Sequence, residues 1–261
     1  MKIKTFTFND LGVNSYLLIS EQNNCILIDP SCYYPEEKEE LKRFIADNGL
    51  TLKRVLNTHL HFDHALGNRF VEETYGIGAE CSAPEKFLLD RMEMQAEMFG
   101  YSSVEMPQQS VLTLKDGDEI TVDEITLKVL MIPGHSTGGL AFYAPKNGCL
   151  FAGDIIFCGS IGRTDLWGGD HNALISGIQN KLMSLPENTV IFCGHGPKTN
   201  VGQEKPPTLI LHNEIHTVCQ NSNLTHFFYS DTSPLRFFLC NIFSTFAFVK
   251  LFFANQCSKK L

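Results

Sequence analysis

Three histidines and one aspartate follow an apolar, strand-like segment within six residues: His59, His61, Asp63 and His64. Side chains at positions i and i+2 of an extended chain point the same way, so His59 and His61 can reach one ion. Asp63 and His64 lie where the chain turns into the next helix, and they can reach a neighbouring point. Imidazole and carboxylate groups are ligands of zinc, iron and manganese. A histidine-rich surface loop is the alternative, and the density of the cluster disfavours it.

Three more candidate ligands repeat one layout. An apolar strand ends, a glycine turns the chain, and one ligand-type residue follows: His135 after Gly134, Asp154 after Gly153, and His195 after Gly194. Each of them alone is also a typical turn residue. Ligands at the same end of several strands can converge on one cleft, so the joint pattern predicts a single metal centre.

The elements that must position these residues alternate between strands and helices. We predict strands at Ile3–Phe8, Asn14–Ile19, Cys25–Ile28, Leu52–Asn57, around Cys81, and at Glu119–Val122, Thr126–Ile132, Gly139–Tyr143, Cys149–Ala152 and Thr189–Cys193. We predict helices from Pro35 to Gly49, over Ala65–Tyr75, over Pro84–Met98 and over His171–Ser184, and loops over Tyr101–Gln109 and Gly159–Gly169. This order predicts an α+β fold with a sheet-on-sheet core and helices packed outside.

Five segments together resemble the metallo-β-lactamase superfamily, and within it the glyoxalase II-like hydrolases. They are Thr-His-Leu-His-Phe-Asp-His, Pro-Gly-His-Ser-Thr-Gly-Gly, Phe-Ala-Gly-Asp, Gly-Arg-Thr-Asp and Cys-Gly-His-Gly-Pro-Lys-Thr. The resemblance runs from about residue 3 to residue 205. It implies a four-layered αββα sandwich with the metals at one edge. Glyoxalase II proper carries a helical C-terminal domain that contacts glutathione, and none follows Lys205, so the resemblance is closer to the short bacterial type.

The resemblance also implies a ligand set and a reaction. His59, His61 and His135 would hold one ion, Asp63, His64 and His195 a second, and Asp154 would bridge them. Zinc is the expected metal, with iron or manganese as alternatives. Two such ions supply hydroxide at neutral pH, which attacks a carbonyl carbon, and Asp63 would orient that nucleophile. The implied reaction is hydrolysis of a small-molecule thioester, S-lactoylglutathione, to lactate and glutathione.

Two residues are candidates for binding the substrate. Arg163 lies in the loop after Asp154, and an ion pair with Asp165 is its alternative role. Lys198 follows His195 and is suited to a substrate carboxylate, while a solvated loop lysine is its alternative role.

Other functions remain open at this stage. A mononuclear iron persulfide dioxygenase shares much of this ligand pattern and a Gly-Arg-Thr-Asp loop. A non-enzymatic metal-binding member of the fold is a further alternative, which the complete set of seven ligands disfavours. Zinc β-lactamases commonly place Cys where Asp154 stands and Arg where His64 stands, which disfavours that activity.

Charge and cysteine content limit the partners and the compartment. The net charge of −8 argues against a nucleic-acid backbone as the main partner. Nine cysteines, an odd number without a CxxC pair, predict reduced thiols in the cytoplasm. Residues 1–10 lack the basic and apolar regions of a signal peptide. The sequence does not indicate an oligomeric state.

The composition changes after residue 205. Residues 206–261 hold nine of the 20 phenylalanines but only six Asp, Glu, Lys or Arg residues. We therefore predict a hydrolase domain over residues 1–205 and an atypical phenylalanine-rich tail over residues 206–261. The tail could be a segment packed on the domain or an appendage from a frameshift or altered splicing. A membrane segment is disfavoured because Phe237–Val249 is too short to span comfortably.

Overall fold

The structure is a computed structural model that describes residues 1–205, so the predicted phenylalanine-rich tail lies outside the described residues. The first of its two large sheets has six strands, which are neighbours in chain order: β1 (Lys2–Phe8), β2 (Val13–Ile19), β3 (Asn24–Ile28), β4 (Thr51–Leu56), β5 (Glu80–Ser82) and β6 (Val111–Leu114). The first three strands form an antiparallel meander, and β4, β5 and β6 continue the sheet in parallel.

The second sheet also has six strands: β7 (Glu119–Val122), β8 (Ile125–Met131), β9 (Leu140–Ala144), β10 (Cys149–Gly153), β13 (Val190–Cys193) and β14 (Thr199–Asn200). A separate two-stranded hairpin, β11 (Ile156–Phe157) and β12 (Ser160–Ile161), lies between β10 and β13 in the chain. The spatial order is β14-β13-β10-β9-β8-β7. Only β10 and β13 are parallel neighbours in this sheet.

Seven short α-helices accompany the sheets: α1 (Pro35–Asp47), α2 (Phe62–Ala65), α3 (Asn68–Tyr75), α4 (Lys86–Leu89), α5 (Met92–Met98), α6 (His171–Gly177) and α7 (Val201–Glu204). Two 3-10 helices, Ala83–Glu85 and Pro145–Asn147, and a π-helical turn, Ile178–Leu182, complete the described elements. Within residues 1–205, no helix is both long and apolar enough to cross a membrane.

Both faces of each sheet are buried, because successive residues of a strand place apolar side chains on opposite faces. On β2, Tyr16 and Leu18 face the core between the sheets, where Phe142 and Phe151 of the second sheet meet them. The intervening Leu17 lies in a second core under α1 and α3. A third core packs α6 and the π-helical turn on the outer face of the second sheet. These four layers confirm the predicted αββα sandwich.

Two predicted helices are shorter than expected. The helix predicted over Ala65–Tyr75 is instead α2 and α3, separated at Gly67. A Cβ on Gly67 would lie 2.6 Å from Cys32 Sγ, so the chain there packs too closely for any other residue. The helix predicted over Pro84–Met98 breaks into a 3-10 helix, α4 and α5, because Arg91 leaves the helical region at φ −120° and ψ 11°.

Several short elements were not predicted. The strand β6 lies beyond the predicted loop Tyr101–Gln109, and β12 lies within the predicted loop Gly159–Gly169. Two-residue strands such as β12 show no alternation that a sequence pattern could reveal. The helix predicted over His171–Ser184 ends as an α-helix at Gly177 and continues as a π-helical turn.

Candidate metal centre

All seven predicted ligands lie at one edge of the sandwich. His59, His61, Asp63 and His64 follow β4 of the first sheet, while His135, Asp154 and His195 follow β8, β10 and β13 of the second sheet. Two glycines permit this approach. Gly153 has φ +51°, and a Cβ on it would lie 2.3 Å from Thr58 Oγ1. A Cβ on Gly194 would lie 2.1 Å from Asp154 Oδ1, so only glycine fits between these two ligand loops.

The first ligand group consists of three buried imidazoles, those of His59, His61 and His135. One ligand atom from each lies within 4.8 Å of the others. His61 Nδ1 is 3.0 Å from His135 Nε2, and the ring centroids of His59 and His61 are 4.8 Å apart. Their exposed fractions are only 2–7%. The geometry therefore offers a compact three-nitrogen site.

The second ligand group combines a carboxylate with two imidazoles, from Asp63, His64 and His195. Their ligand atoms also lie within 4.8 Å of one another. His195 Nε2 is 3.3 Å from His64 Nε2 and 3.5 Å from Asp63 Oδ2. His195 is the most open member, with 27% of its side chain exposed. The second group therefore faces the solvent side of the centre.

Asp154 lies between the two groups. Its Oδ2 atom is 3.6 Å from His135 Nε2 on one side and 3.4 Å from His195 Nε2 on the other. Its Oδ1 atom is 3.3 Å from His64 Nε2. A single carboxylate thus reaches both groups.

The outer nitrogens of four histidines lie next to oxygen atoms, and that of His59 is 3.0 Å from Thr58 Oγ1. His135 Nδ1 donates to the main-chain oxygen of Arg163 at 2.9 Å, and His195 Nδ1 donates to that of Leu11 at 3.0 Å. His64 Nδ1 lies 3.0 Å from Asp29 Oδ2. A carbonyl oxygen can only accept, so Nδ1 carries a proton in both rings and Nε2 of His135 and His195 faces the centre. Such contacts fix the tautomer and the orientation of a metal-binding histidine.

Asp29 supports the centre, although the sequence assigned it no role. Its carboxylate accepts hydrogen bonds from the Thr58 N–H and the Thr58 Oγ1, each at 2.7 Å, and it contacts His64. Asp29 is 1% exposed and has φ +50°. Asp29 directly follows the buried strand β3, and no pattern of residue type or spacing in the sequence marks it.

The cluster meets the requirements of a metal site in two further respects. His59 Nε2 is buried and has no hydrogen-bond partner among the described residues. Buried polar atoms are normally paired, so this nitrogen indicates a partner such as a metal ion. Burial, with His135 beside it, lowers the pKa of His61 to about 3, which keeps the ring neutral and able to ligate.

The charges of the second group differ from those of the first. Burial opposes the charge of His195, but Asp154 and Asp63 overcome it and raise the pKa of His195 to about 10. Burial also acts to raise the pKa of Asp154, yet His195 and His64 hold it well below its usual value. In the metal-free protein, protons on imidazole therefore balance the carboxylates.

The two candidate substrate-binding residues differ in their surroundings. The Arg163 guanidinium forms a two-point ion pair with Asp165, at 2.7 and 2.8 Å. Arg163 contributes to the centre through its main-chain oxygen, which holds His135. Lys198 is exposed. Substrate binding by either residue stays a prediction.

Comparison with known proteins identifies the family. The profile of the metallo-beta-lactamase superfamily matches residues 8–195. The chain therefore belongs to this superfamily. As a member with an intact cluster of histidines and aspartates, it is a metal-dependent hydrolase.

Three similar proteins illustrate the range of relatives. The chain is 32% identical to the hydroxyacylglutathione hydrolase GloC of Haemophilus influenzae over 206 residues, which covers 78% of this chain and 95% of GloC. It is 32% identical to the solved BLEG-1 B3 metallo-beta-lactamase, with a TM-score of 0.71 over 78% of this chain and 96% of that one. It is also 32% identical to TTHA1623, solved in a di-iron-bound form, with a TM-score of 0.70 over 78% of this chain and 98% of that one.

Proposed function

We propose that the chain is a two-metal thioester hydrolase that converts S-lactoylglutathione to lactate and glutathione. The position of Asp154 carries the two-metal part of this proposal. Its carboxylate lies within 3.6 Å of a nitrogen from each ligand group. A carboxylate in that position can share its oxygens between two ions.

In this proposal each ligand group holds one ion. The first ion takes His59, His61 and His135, and the second takes Asp63, His64 and His195, with Asp154 contacting both. Zinc is the expected metal because it binds nitrogen and oxygen ligands of this kind. Iron and manganese accept the same donors, and the di-iron form of TTHA1623 supports iron as the alternative.

A pair of divalent ions, when bound, would lower the pKa of a water molecule and polarise the substrate carbonyl. The chain itself fixes the carboxylate that orients the nucleophile. Asn9 Nδ2 donates to the main-chain oxygen of Asp63 at 3.1 Å, which holds the first turn of α2 in place. We assign to Asp63 both ligation and this orienting role. A thiolate leaves readily, so the reaction needs no strong general acid.

The thioester substrate rests on the similarity to GloC, whose name specifies hydroxyacylglutathione. Glutathione carries carboxylates, and the exposed ammonium of Lys198 lies three residues after His195. We therefore propose Lys198 as a contact for the thiol carrier. Arg163 remains a second candidate contact, provided that the substrate displaces Asp165.

Metal analysis and a substrate panel on one preparation test the proposal. We expect two ions per chain and turnover of S-lactoylglutathione above that of other thioesters. A chromogenic β-lactam belongs in the panel because BLEG-1 is similar, and we expect no turnover of it. Asp63→Ala should abolish thioester turnover, and wild-type activity in this variant would refute the mechanism.

Two other outcomes identify the competing functions. One ferrous ion per chain with oxygen uptake on a persulfide would indicate the dioxygenase. Two bound ions without turnover of any panel member would indicate a non-enzymatic metal-binding member.

The partner and compartment proposals rest on charge and thiols. The net charge of −8 favours a small-molecule substrate over nucleic acid. All six cysteines among residues 1–205 are free thiols, which favours a reducing, cytoplasmic location. A fractionation experiment with an antibody to the chain would test the location.

A further inference from the structure

Glu85 is a buried carboxylate beside the metal centre that the proposed reaction does not use. It ends the 3-10 helix Ala83–Glu85, which directly follows β5 of the first sheet. Its exposed fraction is 0%. Burying a carboxylate is costly unless hydrogen bonds compensate it, so its partners indicate why it is there.

The two oxygens of Glu85 accept hydrogen bonds from two different ligand loops. Oε2 accepts from the Leu60 N–H at 2.9 Å, and Leu60 lies between His59 and His61. Oε1 accepts from the Gly138 N–H at 2.6 Å, three residues after His135. One carboxylate therefore joins the loops that carry all three imidazoles of the first group.

Neighbouring bonds show that this junction is close-packed. Ser82 Oγ donates to the Gly138 oxygen at 2.7 Å, and Thr137 Oγ1 donates to the Pro84 oxygen at 2.9 Å. A Cβ on Gly138 would lie 2.2 Å from Ser82 Oγ and 3.0 Å from Pro84. The loop after His135 thus rests directly on the segment that carries Glu85.

The chemistry of the junction requires a carboxylate. The two close partners of Glu85 are main-chain N–H groups, and Thr137 Oγ1 lies farther from Oε1, at 3.5 Å, so both carboxylate oxygens must accept. A glutamine of the same shape would turn its NH2 group toward one of these donors and lose that hydrogen bond. A buried donor without a partner is destabilising, so this variant should hold the two loops less firmly.

We propose that Glu85 is a positioning residue for the first metal ion, because it sets the distance between the His59–His61 loop and His135. It does not touch the ion or the substrate. This inference rests on the proposed two-ion centre, and it does not depend on which substrate the enzyme hydrolyses.

Chelator competition on the Co²⁺-loaded, full-length chain tests this inference. His135→Ala and His195→Ala give reference absorption spectra for an ion in the second or in the first group alone. In Glu85→Gln we expect the first-group ion to be lost at about 10- to 100-fold lower chelator strength, the usual effect of removing a contact that orients ligands. The chelator strength that removes the second-group ion should change by less than about threefold.

Glu72→Gln is the matched control. Glu72 is also a buried glutamate, at 5% exposed, and it accepts a main-chain N–H from Gln108 at 2.8 Å, but it contacts no ligand loop. We expect Glu72→Gln to retain both ions as the wild type does. Hydrogen exchange of short peptides supplies a readout without metal, in which Glu85→Gln should speed exchange at Leu60 and Gly138 only.

Two results would overturn the inference. One is wild-type retention of both ions in Glu85→Gln, with unchanged exchange at Leu60 and Gly138. The other is parallel loss of both ions with faster exchange throughout the domain, which would indicate a role in folding alone. If Glu85→Gln does not fold, Glu85→Asp replaces it, since it keeps both acceptor oxygens on a shorter side chain. A smaller loss confined to the first group would then support the inference, and equal retention in both groups would overturn it.

The test separates this inference from the proposed function. Absence of thioester turnover in a chain that binds two ions would refute only the substrate. A wild-type chain that binds fewer than two ions would refute the two-ion centre, and the role of Glu85 with it.

Discussion

The two ligand groups of the metal centre differ in chemistry and in surroundings. The first group contains only imidazoles and is closed from solvent, with exposed fractions of 2–7%. The second group includes the Asp63 carboxylate, and its His195 side chain is 27% exposed. One centre therefore joins a closed group of three imidazoles to a group that contains a carboxylate and is partly open at His195.

The groups also differ in what holds them. The first depends on contacts between the two sheets, since Glu85 bonds the loops on either side. The second depends on the N-terminal hairpin and on a buried carboxylate. The main-chain oxygen of Leu11 accepts from His195, Asn14 Nδ2 donates to main-chain oxygens near His195, and the Asp29 carboxylate contacts His64. Packing of the ligand loops should therefore govern the affinity for the first-group ion, and electrostatic interactions the affinity for the second-group ion.

The largest expected effect is that of removing the residue shared by both groups. Asp154→Ala should lower both metal content and activity, because the carboxylate contacts each group. The loss of several kcal/mol of metal-assisted stabilisation corresponds to about a thousandfold lower kcat/KM. Elemental analysis and thioester kinetics measure it, with Asp90→Ala, a change of the exposed residue directly after α4, as the control. Two retained ions in Asp154→Ala would show that it does not link the groups.

Removing one histidine from each group tests their independence. We expect His135→Ala and His195→Ala each to lower the metal content from about two ions to about one, because each leaves one ligand group intact. Elemental analysis of both variants gives the result. If either variant lost both ions, the two groups would have to be treated as one cooperative site.

The pH dependence of metal binding should separate the groups by charge. The pKa of His195 is raised to about 10 in the metal-free chain, so an ion must displace its proton at pH 7–9. The pKa of His61 is about 3, so no proton is displaced there. Against the effect of burial, Asp154 and Asp63 also raise the pKa of His64 well above its usual value, so up to two protons leave the second group as its ion binds. From pH 7 to 9 the second-group affinity should therefore rise by about tenfold to about a hundredfold per unit, and the first-group affinity much less. Chelator competition at several pH values measures both, and equal slopes would contradict the contrast.

The smallest expected effect comes from removing the phenylalanine-rich tail. Both ligand groups and both sheets lie within residues 1–205. A chain truncated after Lys205 should therefore keep two ions and its thioester turnover. Loss of one ion or of solubility in the truncated protein would show that residues 206–261 belong to the functional fold.

The sequence predicted the centre of the sandwich better than its periphery. Strands such as β2 and β3 alternate apolar residues toward two cores, and this local pattern is visible without a structure. The breaks at Gly67 and Arg91 were not predictable, because they arise from packing against distant residues such as Cys32 or from a local backbone bend. Short strands such as β12 have too few residues to show a period.

The same division holds within the site. Residue type and close spacing indicate four of the seven candidate ligands, and a preceding glycine marks His135, Asp154 and His195. The structure brings all seven together. Asp29 and Glu85 lack such a signal, since a single acidic residue in a sequence is most often exposed. Only the three-dimensional structure shows that they are buried and that each holds a ligand loop.

Reconstitution of the metal-free chain with measured equivalents of Zn²⁺ tests the central claim most directly. If Asp154 joins two ions into one hydrolytic centre, S-lactoylglutathione turnover should stay low through the first equivalent and rise with the second, reaching a plateau at two. Full turnover at one equivalent, or turnover in the metal-free chain, would contradict the two-metal account.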